Sequence, residues 1–129
     1  MPRAKQLSVI APDRPGMLGE IASALGEKKV NIIAIAAATG AGMGQMWMVV
    51  DKTAAAKKAL AAKGLQANED EILSVTLPDN PGSLGKFSAK LGKAGVNIVS
   101  MFVGTAGSAR KVNAYFVVSD LKAALKVRP

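Results

Sequence analysis

The residues with the clearest chemical potential form a loop that reads Pro-Asp-x-Pro-Gly at positions 12–16. Apolar residues at helical spacing follow from Leu18 to Leu25, so the loop precedes a predicted helix over residues 16–28. Free N–H groups at a helix N-terminus bind carboxylates, helped by the helix dipole. The Arg14 guanidinium can hold a carboxylate through two hydrogen bonds, and the Asp13 carboxylate accepts from a donor. The alternatives are that Asp13 only caps the helix and that Arg14 is only solvated.

The same loop occurs a second time, 66 residues further along the chain. Residues 7–32 align with residues 73–98 without a gap, sharing Leu-Ser-Val, Pro-Asp-x-Pro-Gly-x-Leu-Gly, Leu-Gly and Val-Asn-Ile. Such a match indicates an internal duplication. Asn80 and Ser83 stand where the first copy has Arg14 and Met17, so the two loops cannot bind identically.

Each copy predicts the same order of elements. Alternating apolar residues over 7–11 and 73–77 indicate half-buried strands, and the segments 40–44 and 104–110 are hairpin loops between two further strands. A second helix follows, over 53–63 with Asp51 or Thr53 as its cap and over 121–127 with Asp120 as its cap. Apolar residues Leu18 and Leu84 are expected on the buried faces of the first helices.

A closing strand over residues 65–69 is expected in the first copy, running into Ile72. Its counterpart in the second copy would fall beyond residue 129. We therefore predict an α+β fold of two tandem ferredoxin-like βαββαβ modules, 1–68 and 69–129, with antiparallel sheets and helices on one face. The second module would lack its final strand, and the open edge favours a homodimer or another partner.

Composition excludes several classes of function. The 129 residues include neither cysteine nor histidine, which excludes zinc sites, thiolate nucleophiles and Ser-His-Asp triads; we expect no metal and no cofactor. With 17 basic and 9 acidic residues the net charge is +8, which favours anionic partners or simple solubility. Few aromatic residues accompany the basic ones, so neither nucleic acid nor a membrane is an expected partner. The spacing of the lysines at 86, 90 and 93 indicates a solvated helix face. Without a signal-peptide pattern or a long apolar run, a cytoplasmic location is expected.

The loop, the helix and the Val30-Asn31-Ile32 that opens the next strand together resemble the ACT-domain family, in both copies. The resemblance implies ferredoxin-like modules that pair side by side and hold an amino acid at the interface between modules, without catalysis. The implied ligand-binding residues are Asp13, Arg14, Pro15, Gly16, Met17, Leu18, Asn31 and Ile32 in the first copy. Those in the second are Asp79, Asn80, Pro81, Gly82, Ser83, Leu84, Asn97 and Ile98.

An amino acid suits these groups chemically. Its carboxylate would meet the helix N-terminus, and its ammonium would donate to the carboxylate of Asp13 or Asp79 or to the amide of Asn31 or Asn97. The asparagines also have a purely structural interpretation as turn residues. The sequence thus favours a regulatory protein that acts on its own assembly or on an enzyme in trans. The alternatives are an assembly protein without a ligand and, less well supported, a phosphate-ester hydrolase using Arg14 and Asn31.

Overall fold

The computed structural model describes residues 3–129, in which the order β-α-β-β-α occurs twice. The elements are β1 (Arg3–Pro12), α1 (Met17–Glu27), β2 (Ile32–Gly40), β3 (Met43–Val50), α2 (Thr53–Ala62), β4 (Ala67–Pro78), α3 (Ser83–Lys93), β5 (Ile98–Thr105), β6 (Lys111–Val118) and α4 (Leu121–Leu125). The chain divides into two compact units, residues 5–70 and residues 71–129, the latter with residues 3 and 4. We call them the first and second modules. The predicted α+β fold of tandem ferredoxin-like modules is confirmed.

The first module has β3 between β1 and β2, with both pairs antiparallel. Leu7 lies opposite Met48, and the alternation of the strands sends both side chains to the same face, where they are fully buried. Helices α1 and α2 pack on that face through residues such as Leu25 and Leu60. Both helices therefore cover one side of the sheet, as the sequence predicts.

The second module repeats this arrangement, with β6 between β4 and β5. Leu73 lies opposite Phe116, and the core is built from buried residues of β4, β6, α3 and α4. The rings of Phe87 and Phe116 pack with their centroids 5.6 Å apart. An aromatic pair thus occupies the place that aliphatic side chains hold in the first module.

Strand β4 serves both modules. Its first four residues belong to the first module, where Glu69 lies 3.6 Å from both Lys5 and Lys57, and the remainder opens the second module. The predicted closing strand is present and begins two residues later than expected. Helix α4 ends at Leu125, earlier than the predicted residue 127, and no strand follows it within the described residues.

Helix α4 is capped as predicted, since Asp120 Oδ1 accepts from the Ala123 N–H at 3.0 Å. The other expected caps are wrong. Helix α2 begins after Lys52 without a side-chain cap, because Asp51 instead accepts from the backbone N–H of Asn31 at 2.9 Å. Asp13 and Asp79 do not cap α1 and α3, whose first turns follow the left-handed glycines at 16 and 82 and have no side-chain cap.

The buried face of the first helices also differs from the prediction at one position. Leu18 is 47% exposed and Leu84 is 41% exposed, so neither belongs to the core. Because α1 starts only at Met17, Leu18 is in the first turn, and Ile21, Ala24 and Leu25 form the buried stripe further along. Both modules therefore present a leucine to solvent beside the Asp-x-Pro-Gly loop.

No helix within residues 3–129 combines the length and apolar character that a membrane crossing requires.

Candidate ligand site

A cleft of about 620 Å³ opens at one end of the first module. Strand β1 ends there at Pro12, which lies opposite Met43, and Met43 in turn lies opposite Gly40 at the end of β2. The loop after β1 and the β2–β3 hairpin are therefore neighbours. The lining residues are Pro12, Asp13, Arg14, Gly16, Met17, Leu18, Gly19, Ala37, Ala38, Thr39, Gly44, Gln45 and Met46.

The start of α1 presents free hydrogen-bond donors beside this cleft. Gly16 has φ of 84°, a left-handed conformation that a residue with a side chain rarely adopts. Met17 N donates to Arg14 O at 3.3 Å and Glu20 N to Gly16 O at 3.0 Å, whereas the N–H groups of Leu18 and Gly19 have no acceptor within residues 3–129. Unpaired N–H groups at a helix N-terminus are suited to a carboxylate.

The Arg14 guanidinium does not extend freely over the cleft but donates to the Glu20 carboxylate one turn into α1. This hydrogen bond and the charge of Arg14 lower the pKa of Glu20, against a smaller opposing effect of burial on the carboxyl group. Both side chains remain about half exposed. Arg14 is thus already neutralised, so a bound carboxylate would have to compete with Glu20 for it.

The Arg14–Glu20 pair predicts a pH dependence of stability. Because the pKa of Glu20 is lowered in the folded state, the pair stabilises the fold at neutral pH and loses that contribution as the pH falls through the lowered value. The difference in free energy of unfolding between wild type and Glu20→Gln should therefore be constant at neutral pH and diminish as the pH falls below the ordinary pKa of a glutamate and through the lowered value. Urea unfolding of both proteins at a series of pH values measures this difference in free energy. A difference that grows on acidification would contradict the assignment.

Asp13 is exposed, and its carboxylate makes no described hydrogen bond or ion pair within residues 3–129. Asp79 has the same exposed position in the second module, where its backbone N–H donates to Arg110 O at 2.7 Å. Neither carboxylate stabilises a helix start. Both remain available to accept from a ligand.

Asn31 and Ile32 do not join this cleft. Ile32 lies opposite Val50, at the other end of the sheet from Gly40 and Met43. The backbone of Asn31 exchanges two hydrogen bonds with Asp51, donating to its carboxylate at 2.9 Å and accepting from its N–H at 3.1 Å. Within the module, Arg14 and Asn31 are therefore at opposite ends, and the arrangement that a hydrolase would need is not assembled there.

The second module has the same backbone arrangement around its Asp-x-Pro-Gly loop but different side chains beside it. Asn97 exchanges the equivalent pair of hydrogen bonds with Ser119, both at 2.9 Å. Gly44 lies opposite Ala11 in the first module, whereas Val112 lies opposite Leu77 in the second. The second module therefore carries a valine, packed against its core, at the strand position where the first module has no side chain. The loop of the second module lines a cleft of about 390 Å³ on its other side, together with Ser83, Lys86, Lys90 and Pro129, and this lining includes no residue of the β5–β6 hairpin.

Sequence reasoning missed the hairpin side of the first cleft. The residues concerned are Ala37, Ala38, Thr39, Gly44, Gln45 and Met46. One signal was available: the strand after Asn31 becomes a run of alanines toward the hairpin, where larger side chains would fill the space beside the loop. The described residues contain no group of acidic side chains that could hold a metal ion.

Comparisons with known proteins agree with this architecture. The ACT domain family model matches residues 5–62 and again residues 72–125. A solved protein from Bacteroides thetaiotaomicron superposes with a TM-score of 0.88 at 26% identity, covering 97% of this chain and 85% of its own. The regulatory subunits of aspartate kinase from Thermus thermophilus and Thermus flavus give TM-scores of 0.69 and 0.68 at 21% and 22% identity, with 98% of this chain and 89% and 91% of theirs covered. No curated protein matches the chain. Two consecutive family matches account for nearly all of its length, and the chain belongs to the ACT domain family.

Proposed function

We propose that the chain is a non-catalytic regulatory protein that binds a small amino acid in the cleft of the first module. The observation that carries this proposal is the uncapped start of α1, where two N–H groups lack acceptors among residues 3–129 beside the exposed carboxylate of Asp13. A free amino acid brings a carboxylate and an ammonium group on adjacent atoms. The cleft offers partners of the complementary kind to both groups.

The lining supports a small ligand. Gly16, Gly19 and Gly44 contribute no side chains, and Ala37 and Ala38 contribute only methyl groups, so the ligand's backbone can approach the loop closely. The exposed Leu18 and the buried Met46 supply apolar contacts for a ligand side chain. The second module shares the motif, with Asp79, Pro81 and Gly82 as its counterparts, but carries Val112 at the strand position of Gly44, which has no side chain.

A second copy of the chain completes the site in this proposal. Asn31 and Ile32 lie too far from the loop of their own module, and the side-chain amide of Asn31 makes no described hydrogen bond within residues 3–129. Strand β2 is the outer strand of its module and has no charged residue or proline to discourage pairing. A homodimer formed along β2 would offer the Asn31 amide to a ligand held by a neighbouring loop.

The test is a thermal-shift screen of the purified protein against each of the twenty amino acids, followed by calorimetry on any that stabilises it. A ligand present at 100 times its dissociation constant should stabilise the fold by about 2.7 kcal/mol. Sedimentation velocity with and without that ligand measures the homodimer. If no amino acid shifts the melting temperature, the proposal is wrong and an assembly protein without a ligand becomes the better interpretation.

Variants at matched positions localise the site. Asp13→Ala should weaken binding by about tenfold or more, since hydrogen bonds to charged groups contribute about 1.5–3 kcal/mol, and should leave the melting temperature of the free protein unchanged. Gly44→Val should abolish binding without unfolding, because the second module carries valine at the same strand position. Asp79→Ala is the matched control and should bind normally. Equal losses of ligand affinity in Asp13→Ala and Asp79→Ala would contradict the assignment of the ligand site to the first module.

A further inference from the structure

The helices of the second module carry an unusual concentration of positive charge. Residues 83–129 contain eight basic side chains and one acidic side chain, Asp120. The carboxylate of Asp120 is occupied in capping α4. The ion pairs found within residues 3–129 involve Arg3, Lys5, Arg14 and Lys57, so none of these eight basic residues has an acidic partner there.

Six of the eight lie together on the helix layer. On α3, Lys86, Lys90 and Lys93 recur at helical spacing and flank the buried Phe87 and Leu91. On α4, two lysines project on the side opposite the buried Ala124, and Arg128 is exposed just beyond. Lys90 Nζ donates to the backbone carbonyl of Arg128 at 3.3 Å, which joins the two groups into one surface. We call this surface the basic helix face: Lys86, Lys90, Lys93, Lys122, Lys126 and Arg128.

The first module shows that the fold does not require this charge. At the positions equivalent to Lys86, Lys90 and Lys93, helix α1 carries Glu20, Ala24 and Glu27. The two glutamates of α1 are thus replaced by lysines in α3, and the buried Ala24 is replaced by the exposed Lys90, while the buried pair Ile21 and Leu25 is kept as Phe87 and Leu91. Lys90 and Lys93 are in the last turn of α3, where the helix dipole favours positive charge, but Lys86 is in the first turn, where positive charge is unfavourable, so helix stability does not account for the whole set.

We propose that the basic helix face is a docking surface for a partner protein that presents an acidic patch. Complementary charge across an interface steers association and sets specificity. A second copy of the chain does not fit, because residues 5–70 have eight basic and six acidic residues and residues 71–129 have eight and three, leaving both modules positive.

The side chains in and around the basic helix face favour a protein partner over a nucleic acid. Leu121, Leu125 and Val127 pack against the second core but remain half-buried, so part of their apolar surface is accessible beside the charges of α4 and could be covered by another protein. The face has no exposed aromatic ring on which a base could stack, because Phe87 and Phe116 are buried in the core. The inference concerns a surface separate from the ligand cleft of the first module and does not depend on amino-acid binding there.

The test uses fluorescently labelled poly-L-glutamate as the probe, with the full chain free of added amino acids. The wild-type protein should bind it with an affinity that falls as salt is raised. Replacing Lys86, Lys90 and Lys93 together by Gln should weaken binding by about tenfold or more. The matched control replaces Lys28, Lys58 and Lys63 of the first module by Gln, which removes the same charge, and should change the affinity less than about twofold.

Two outcomes would overturn the proposal. Equal losses of affinity for poly-L-glutamate in the two triple variants would show that binding depends only on the net charge of the protein. Tighter binding of a DNA duplex, or of vesicles containing phosphatidylserine, than of poly-L-glutamate at equal charge concentration would assign the face to a phosphate-bearing partner. Circular dichroism of both variants checks that the helices are intact.

Discussion

Phe87→Ala should lower the free energy of unfolding by about 3–5 kcal/mol, the usual cost of removing a buried aromatic side chain. Phe87 is 1% exposed and packs on Phe116, which is fully buried, at the centre of the second core. The substitution removes both the apolar area and the ring contact and leaves a cavity. Urea unfolding followed by far-ultraviolet circular dichroism measures the loss.

Leu84→Ala is the control on the same helix. Because Leu84 is 41% exposed, its truncation should change stability by no more than about 0.5 kcal/mol. A pattern of similar losses in the two variants would mean that α3 does not bury Phe87 as described. The comparison also tests the correction to the sequence prediction, which assigned Leu84 to the buried face.

The second large effect concerns two substitutions, at Gly16 and at Gly19, which should change the stability of the fold in opposite directions. Apart from the adjacent residues and the helix's own backbone, a Cβ atom added at either position meets no atom of residues 3–129 within 4 Å, so the difference between the two sites comes from the backbone conformation. Gly16 has φ of 84°, where alanine costs roughly 1–2 kcal/mol, whereas Gly19 is inside α1, where alanine gains about 0.5–1 kcal/mol over glycine. Gly16→Ala should thus destabilise the protein and Gly19→Ala should stabilise it.

Thermal unfolding of the two variants in the absence of ligand checks this prediction. The same comparison at Gly82 and Gly85 provides a replicate in the second module, since Gly82 has φ of 88°. If Gly16→Ala were neutral, the loop would not hold the left-handed conformation that leaves α1 uncapped. The candidate ligand site would then lose its main structural support.

The fold was predictable from sequence because the duplication supplies each pattern twice. The alternation at Leu7 and Val9 recurs at Leu73 and Val75, and all four residues are buried as predicted. The glycine-rich segment at 40–44 is the hairpin loop between β2 and β3. Local patterns of this kind depend on the periodicity of one element and need no knowledge of its neighbours.

The start of α1 was less predictable for a physical reason. Asp13 is a residue type that commonly caps helices, but the left-handed Gly16 becomes the residue at the cap position and has no side chain to accept a hydrogen bond. The helix therefore begins one residue later than expected, and Leu18, in its first turn, lines the cleft at the end of the module, whereas Ile21 and Leu25 further along are buried as predicted.

The candidate site was predictable only in part. The loop from Asp13 to Leu18 lines the cleft, but its hairpin side depends on strand register, which brings Gly44 beside the loop from 30 residues away in the chain. The distance between Arg14 and Asn31 likewise follows from the direction of β2 in the sheet. Relations of this kind between elements cannot be derived from the periodicity of one segment.

Val112 has a consequence for how such a chain would respond to its ligand. Under the proposed assignment, in which the valine at the strand position of Gly44 leaves the first module as the binding module, each chain would offer a single principal binding event, and its saturation would rise gradually with ligand concentration. A steep, switch-like response requires coupled sites, and here the coupling would have to run between separate copies of the chain. Replacing Val112 by glycine would therefore be the most direct way to ask whether a second site within one chain makes the dose–response curve steeper.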